Sequence, residues 1–109
     1  MSLKALKEGL VALGVPVYLY HAPDNTSPEY IVWAEDGRAD FEADDRHAER
    51  VAEGTIDLYT HDEDSALPQG IEQVLEDTAA AWYYSSTQYE GETGLIHREW
   101  VWQVPMEVG

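Results

Sequence analysis

The sequence predicts an α+β fold: a mostly antiparallel sheet, built in the order helix, three strands, helix, two strands, with both helices packed on one face. Two observations carry this expectation. Two segments repeat apolar residues at helical spacing, and the segments between and after them alternate or concentrate strand formers. A third fixes the end of the chain: the last two strand segments are joined by so short a link that they must be antiparallel neighbours.

Each element has a local reason. Ser2 can cap a first helix, read over residues 2–13. Leu3, Leu6, Leu10 and Leu13 fall on one face of it, and Val11 is read as widening that stripe. Gly14 is a fitting stop, and Pro16 prevents continuation. Val17 to Tyr20 alternates and is rich in strand formers. His21 to Pro28 holds two prolines with Asp, Asn, Thr and Ser, and is read as a loop. The next strand covers 29–36, and Gly37 opens a stretch read as irregular, GRADFEADDRHAER. Alternation resumes from Val51 to Thr60, with Ile56 and Leu58 on one side and Thr55, Asp57 and Tyr59 on the other. Pro68 suits the first turn of a second helix, where its missing N–H costs nothing. Ile71, Val74, Leu75 and Thr78 form its buried stripe, and its end is placed near Ala80. Trp82 to Tyr89 is strand-like. Glu90 to Gly94 (EGETG) is a turn, and Leu95 to Val104 closes the sheet with Ile96, Trp100, Trp102 and Val104 on one face.

A length of 109 residues suits one domain, spanning 1–109 and carrying a charged loop or arm at about 37–50. Asp and Glu number 22 against 6 Lys and Arg, a net charge of -16. That balance weighs against holding a phosphate backbone, which needs cations to displace counterions. It favours meeting basic protein surfaces, or facing nucleic acid without gripping it. The carboxylates are spread along the chain, and aromatics make up 11%, so the composition is that of a folded acidic domain. With no cysteine, disulfides and thiolate metal sites are excluded. The N-terminus lacks a cleavage site, and no run approaches the roughly 18 apolar residues of a membrane span, so a soluble, non-secreted protein with no membrane partner is expected.

The acidic stretch Glu35, Asp36, Asp40, Glu42, Asp44, Asp45 and Glu49, interspersed with Arg38, Arg46 and Arg50, reads either as a solvated loop or as an arm reaching a neighbour or lining an acidic passage. Phe41 in its midst is either an anchor for a partner or part of the domain's own core. A calcium loop does not match, because Gly37 comes early and alanines interrupt. His61, Asp62, Glu63 and Asp64 are better read as polar residues before the second helix, with Asp64 or Ser65 as its cap, than as a metal chelate. His97 and Glu99 share a face; no nucleophile-elbow motif accompanies them, and a cross-strand polar ladder explains them better than base catalysis. His21 and His47 are read as solvent-exposed. The aromatics of WYYSSTQY and EWVWQV lack the basic groove of a single-strand binder, so a core and interface role is expected for them.

Several segments together, PEYIVWAEDG, DDRHAER, EGTIDLYT, VLED and SSTQYEGETGLIHREWVWQV, resemble small tail-terminator (tail completion) proteins of long-tailed phages and prophages, some of them labelled minor capsid or head–tail joining proteins. The resemblance runs from about Val17 to Val104. It implies a structural α+β subunit that assembles as a ring, commonly a hexamer, on the finished tail tube. Such a ring stops tube growth and offers the head-joining surface at the tail–head junction of the virion. No catalytic residue, metal or cofactor is implied; the expected partners are other copies, the tail tube protein and a head–tail connector protein. DNA would pass through such a ring without tight binding, repelled by acidic walls. Arg38, Phe41, Arg46, Arg50, Tyr59 and Tyr83 are the expected subunit contacts. Glu35, Asp36, Asp40, Glu42, Asp44 and Asp45 are the acids expected to face the lumen. Two other classes of function fit the sequence less well. An acidic DNA mimic would space carboxylates like phosphates, roughly 7 Å apart by inference from duplex charge spacing, and the sequence lacks that regularity. A paired-carboxylate enzyme using Asp44 with Asp45, or Glu90 with Glu92, lacks a cleft to hold its acids apart.

Overall fold

The computed structural model describes residues 3–23, 28–41 and 49–105, with side chains described for these except 38–41, 49 and 50. The elements are α1 (Leu3–Val11), β1 (Val17–Leu19), β2 (Tyr30–Phe41), β3 (Glu49–Thr60), α2 (Leu67–Asp77), β4 (Ala81–Glu90) and β5 (Leu95–Pro105). One sheet runs β1-β2-β3-β5-β4. β1 pairs with β2 in parallel, and all other pairs are antiparallel. The expected α+β architecture is therefore present, with a long edge strand, β4, on one side and a three-residue edge strand on the other.

Alternation decides which face is which. Ile31 and Trp33 of β2, Ala52, Ile56 and Leu58 of β3, and Trp100, Trp102 and Val104 of β5 are all buried against α1 and α2. Leu6 and Leu10 of α1, with Ile71, Val74 and Leu75 of α2, complete this core. Each such side chain withdrawn from water stabilises by about 1.5–3 kcal/mol, which makes the helix-covered face the main source of folding free energy. Both helices lie on this one face and approach each other closely. A Cβ on Gly9 would come within 2.6 Å of Val74, and one on Gly70 within 2.9 Å of Leu13. Small residues at these two points let the helices sit side by side.

The indoles also tie α2 to the sheet. Trp100 Nε1–H donates to Glu72 Oε2 at 2.9 Å, and Trp82 Nε1–H donates to Glu76 Oε1 at 2.9 Å. Glu72 and Glu76 are one helical turn apart, so the two bonds fix both the position and the roll of α2. Glu29 fastens the far end: its Oε2 accepts from the Thr60 and Ser65 hydroxyls, both at 2.8 Å.

The structure corrects four details. α1 ends at Val11, and Val11 is exposed, so the buried stripe is carried by Leu6 and Leu10. α2 ends at Asp77, with Ala79 at φ 56° turning the chain into β4. Ala66 occupies the α2 cap position; Ser65 still helps, its hydroxyl accepting from the Leu67 N–H at 3.2 Å. The largest change concerns the stretch after Gly37. β2 runs on to Phe41 and β3 begins at Glu49, so the arm is a two-stranded ribbon and not irregular chain. A register shift between Glu35 and Gly37 inserts Asp36 as the extra residue, and pairing then resumes, with Asp40 opposite Arg50 and Phe41 opposite Glu49. β5 accompanies β3 only as far as Val51, so among the described residues the end of the ribbon pairs only with itself.

Gly54 sits where this arrangement is tightest. A Cβ there would collide with the Ala34 carbonyl oxygen and come within 2.8 Å of the Trp102 ring. We expect Gly54→Ala to destabilise by about 3 kcal/mol or to prevent folding, by forced displacement of β2 and the indole, as read from the urea midpoint.

Candidate functional site

The face away from the helices has its own order. Tyr18, Tyr30, Tyr59 and His97 form a row across β1, β2, β3 and β5. Tyr18 meets Tyr30 edge-on at 6.3 Å; Tyr30 stacks on Tyr59 at 4.8 Å; Tyr59 stacks on His97 at 4.4 Å. The register makes this row: Tyr30 lies opposite Tyr59, and Tyr59 opposite His97. Such pairs contribute about 0.5–1.5 kcal/mol each beyond area burial, so this open face also stabilises the sheet. No helix covers the row, and its rings shield one another.

At its end His97 Nε2–H donates to Asp57 Oδ1 at 2.6 Å, with the two side chains 17% and 15% exposed. The hydrogen bond to Asp57 raises the His97 pKa above its ordinary 6.5; burial opposes this, and the charges of Asp57, Glu99 and Glu90 reinforce it. Burial, seconded by the Asp57 charge, pushes the Tyr59 phenol up to about 12. The row thus ends in a hydrogen-bonded imidazole–carboxylate pair; His97 takes part in a cross-strand polar contact, and its partner is Asp57 of β3, not Glu99 of its own strand.

Concavities open on this face among the described residues. One, of ≈ 330 Å³, is lined by Tyr20, His21, Ala22, Tyr30, Val32, Tyr59 and Glu90. Another, of ≈ 310 Å³, is lined by Asp36, Glu53, Gly54, Thr55, Tyr83 and Val101. Glu53, Asp57, Glu90 and Glu99 stand on this face, and among the residues with described side chains no Lys or Arg does. Arg98, the described arginine on β5, lies on the helix-covered side between Leu58 and Thr87.

The residues singled out from the sequence fall in different places. Tyr83 is 60% exposed on the outer face of β4. Tyr59 is half-buried, with both ring faces covered by Tyr30 and His97. Glu35 is half-buried and Asp36 exposed, at the bulge of β2. Arg38, Asp40, Phe41 and Arg50 lie on the strands of the ribbon, while Glu42, Asp44, Asp45 and Arg46 lie outside the described residues. His21 is exposed, as expected, whereas His61 Nδ1 is 3.1 Å from the Gly94 carbonyl oxygen and holds the β4–β5 turn. Among the described residues no three His, Asp or Glu side chains converge on a metal position. Sequence reasoning missed Asp57 as the partner of His97, together with Tyr20, Tyr30 and Glu90. Alternation already placed Asp57 and Tyr59 on one side of β3, but only the β3–β5 register brings His97 to them.

No protein-family model and no curated protein matches the chain. Among solved structures the chain is similar to one in the "Virion of native gene transfer agent (GTA) particle", with a TM-score of 0.61 and 16% identity, over 95% of this chain and 93% of that one. At that identity the likeness shows a shared fold.

The His97–Asp57 pair gives a pH test. His97 has a higher pKa folded than unfolded, so its contribution is full below about pH 6.5 and is lost as pH rises through the folded value. The stability difference between the native chain and His97→Gln should therefore be larger at pH 6 than at pH 9, measured by urea denaturation at both.

Proposed function

We propose that this chain is a structural subunit of a phage-like particle, acting at the tail–head junction as a ring on the end of the tail tube. The ring stops tube growth and provides the surface to which the head joins. The single observation that carries this reading is the end-to-end likeness of fold, at nearly equal length, to a chain of a virion particle. The resemblance of YIVWAEDG and QYEGETGLIHREWVW to tail-terminator proteins supports the same place in the particle.

The physical features suit that role. Closed rings need two different surfaces on each subunit that fit each other. The β2–β3 ribbon offers one such surface, and the open sheet face with exposed Tyr83 offers another. In this reading Arg38, Arg46 and Arg50 meet carboxylates of the adjacent subunit, with Phe41, Tyr59 and Tyr83 at the same joints. The acids Glu35, Asp36, Asp40, Glu42, Asp44 and Asp45 face the lumen, where they repel DNA phosphates and let the duplex slide. The partners are then other copies in a hexamer, the tail tube protein and a connector protein. The chain is made in the bacterial cytoplasm and ends in the virion, and it transforms no substrate.

Two experiments test this. Particles assembled without the chain should carry overlong tubes and unjoined heads in negative-stain images; normal tails would refute the role. Reversing Arg46 and Arg50 to Glu should reduce the ring fraction formed with tail tubes, measured by analytical ultracentrifugation, and unchanged rings would remove the arginines from the joints.

A further inference from the structure

The ≈ 330 Å³ concavity has a rim that ordinary packing does not explain. Tyr20 directly follows β1 and has φ 70°. The His21 N–H donates to the Leu19 carbonyl at 2.9 Å, closing a three-residue turn around Tyr20, while the Tyr20 N–H donates to the Trp33 carbonyl at 2.9 Å. A turn of this hand is rare and strained, and a bulky side chain makes it costlier. The strain does not serve burial: Tyr20 is 60% exposed, and its hydroxyl donates to the Glu35 carbonyl at a long 3.5 Å. Strain retained at an exposed aromatic residue points to a use for that residue.

Across the concavity stands Glu90, at the end of β4, whose Oε2 accepts from the Thr93 hydroxyl at 3.2 Å. Tyr30 and Tyr59 form the floor, presenting edges, since their facing surfaces are stacked on each other. An exposed aromatic ring with a carboxylate beside it, above a floor of tyrosine edges, suits a cation that is planar, stacks on the Tyr20 ring face and donates several hydrogen bonds.

We propose that this concavity seats an arginine side chain from a basic segment of a different protein, with its guanidinium on the Tyr20 ring and its N–H groups on the Glu90 carboxylate. Charge complementarity identifies the occupant. Glu53 and Glu99 share the face with Glu90, Asp57 there is held by His97, and no described Lys or Arg side chain stands on this face. A second copy is a poor occupant. Its own outer face would set carboxylates against carboxylates within a chain of net charge -16, and in the ring proposed above its Arg38, Arg46 and Arg50 are already engaged at the joints. The seat shares Tyr59 with the joints proposed above, so it is a property of the free subunit, and a test on that free subunit can fail without the ring reading failing.

The test uses the full chain, ¹⁵N-labelled, titrated with acetyl-Gly-Arg-Gly-Arg-Gly-amide and with the matching lysine and norleucine peptides. The arginine peptide should shift amide signals around Tyr20, Tyr59 and Glu90, and bind more tightly than the lysine peptide. Glu90→Gln should weaken it about tenfold, by loss of a charge-assisted pair. Tyr20→Leu should weaken it several-fold, while Glu63→Gln, the same charge change elsewhere, leaves it unchanged. Shifts spread over the whole acidic surface with equal effects of Glu90→Gln and Glu63→Gln would overturn the proposal. Equal binding of the norleucine peptide would also overturn it, as would self-association abolished by Glu90→Gln.

Discussion

The structure depends on one tight junction, where the middle of β3 passes between a β2 carbonyl and a β5 indole. Gly54 has no side chain, so the Ala34 carbonyl and the Trp102 ring can close over it. That closure lets large indoles share one face with Ile56 and Ala52 while the strands keep their pairing. The same face then receives α2, held at two heights by Glu72 on Trp100 and Glu76 on Trp82. Both helices take this face, and among the described residues no second layer covers the other. Its aromatic residues shield one another in a row, and the His97 imidazole is held by a neighbouring carboxylate.

Much of the fold was legible because it rests on period. The alternation around Ile56 and Leu58, the Leu6–Leu10 and Ile71–Leu75 spacings, and the short EGETG turn each express a local rule that tertiary packing did not override. The arm was not legible, since charge and Gly37 mimic a loop. Two-stranded pairing can continue through charged residues once a bulge has absorbed one residue, and nothing in composition marks that bulge. The parallel pairing of β1 was likewise hidden, because a three-residue strand carries almost no pattern.

The outer face was legible by content and not by geometry. Aromatic and polar residues were expected on it, and Tyr83 stands there exposed. Which of them touch depends on register, and register is set by the hydrophobic inner face. The His97–Asp57 pair is thus a by-product of how Ile56 opposes Trp100 on the other side of the same strands. Tyr20 is the clearest case of information absent from the sequence, since its backbone conformation follows from the turn between β1 and the chain beyond it.

β4 has a consequence for the free subunit. From Ala81 to Tyr89 it carries no charged residue, and it forms one border of the sheet. Borders of that kind invite foreign strands, and most proteins guard them with lysine or proline. Here the guard is global: mutual repulsion among molecules of net charge -16 keeps the borders apart. Concentrated salt, or acidity approaching the isoelectric point near 4.2, removes that guard and leaves a bare strand rim facing its own kind.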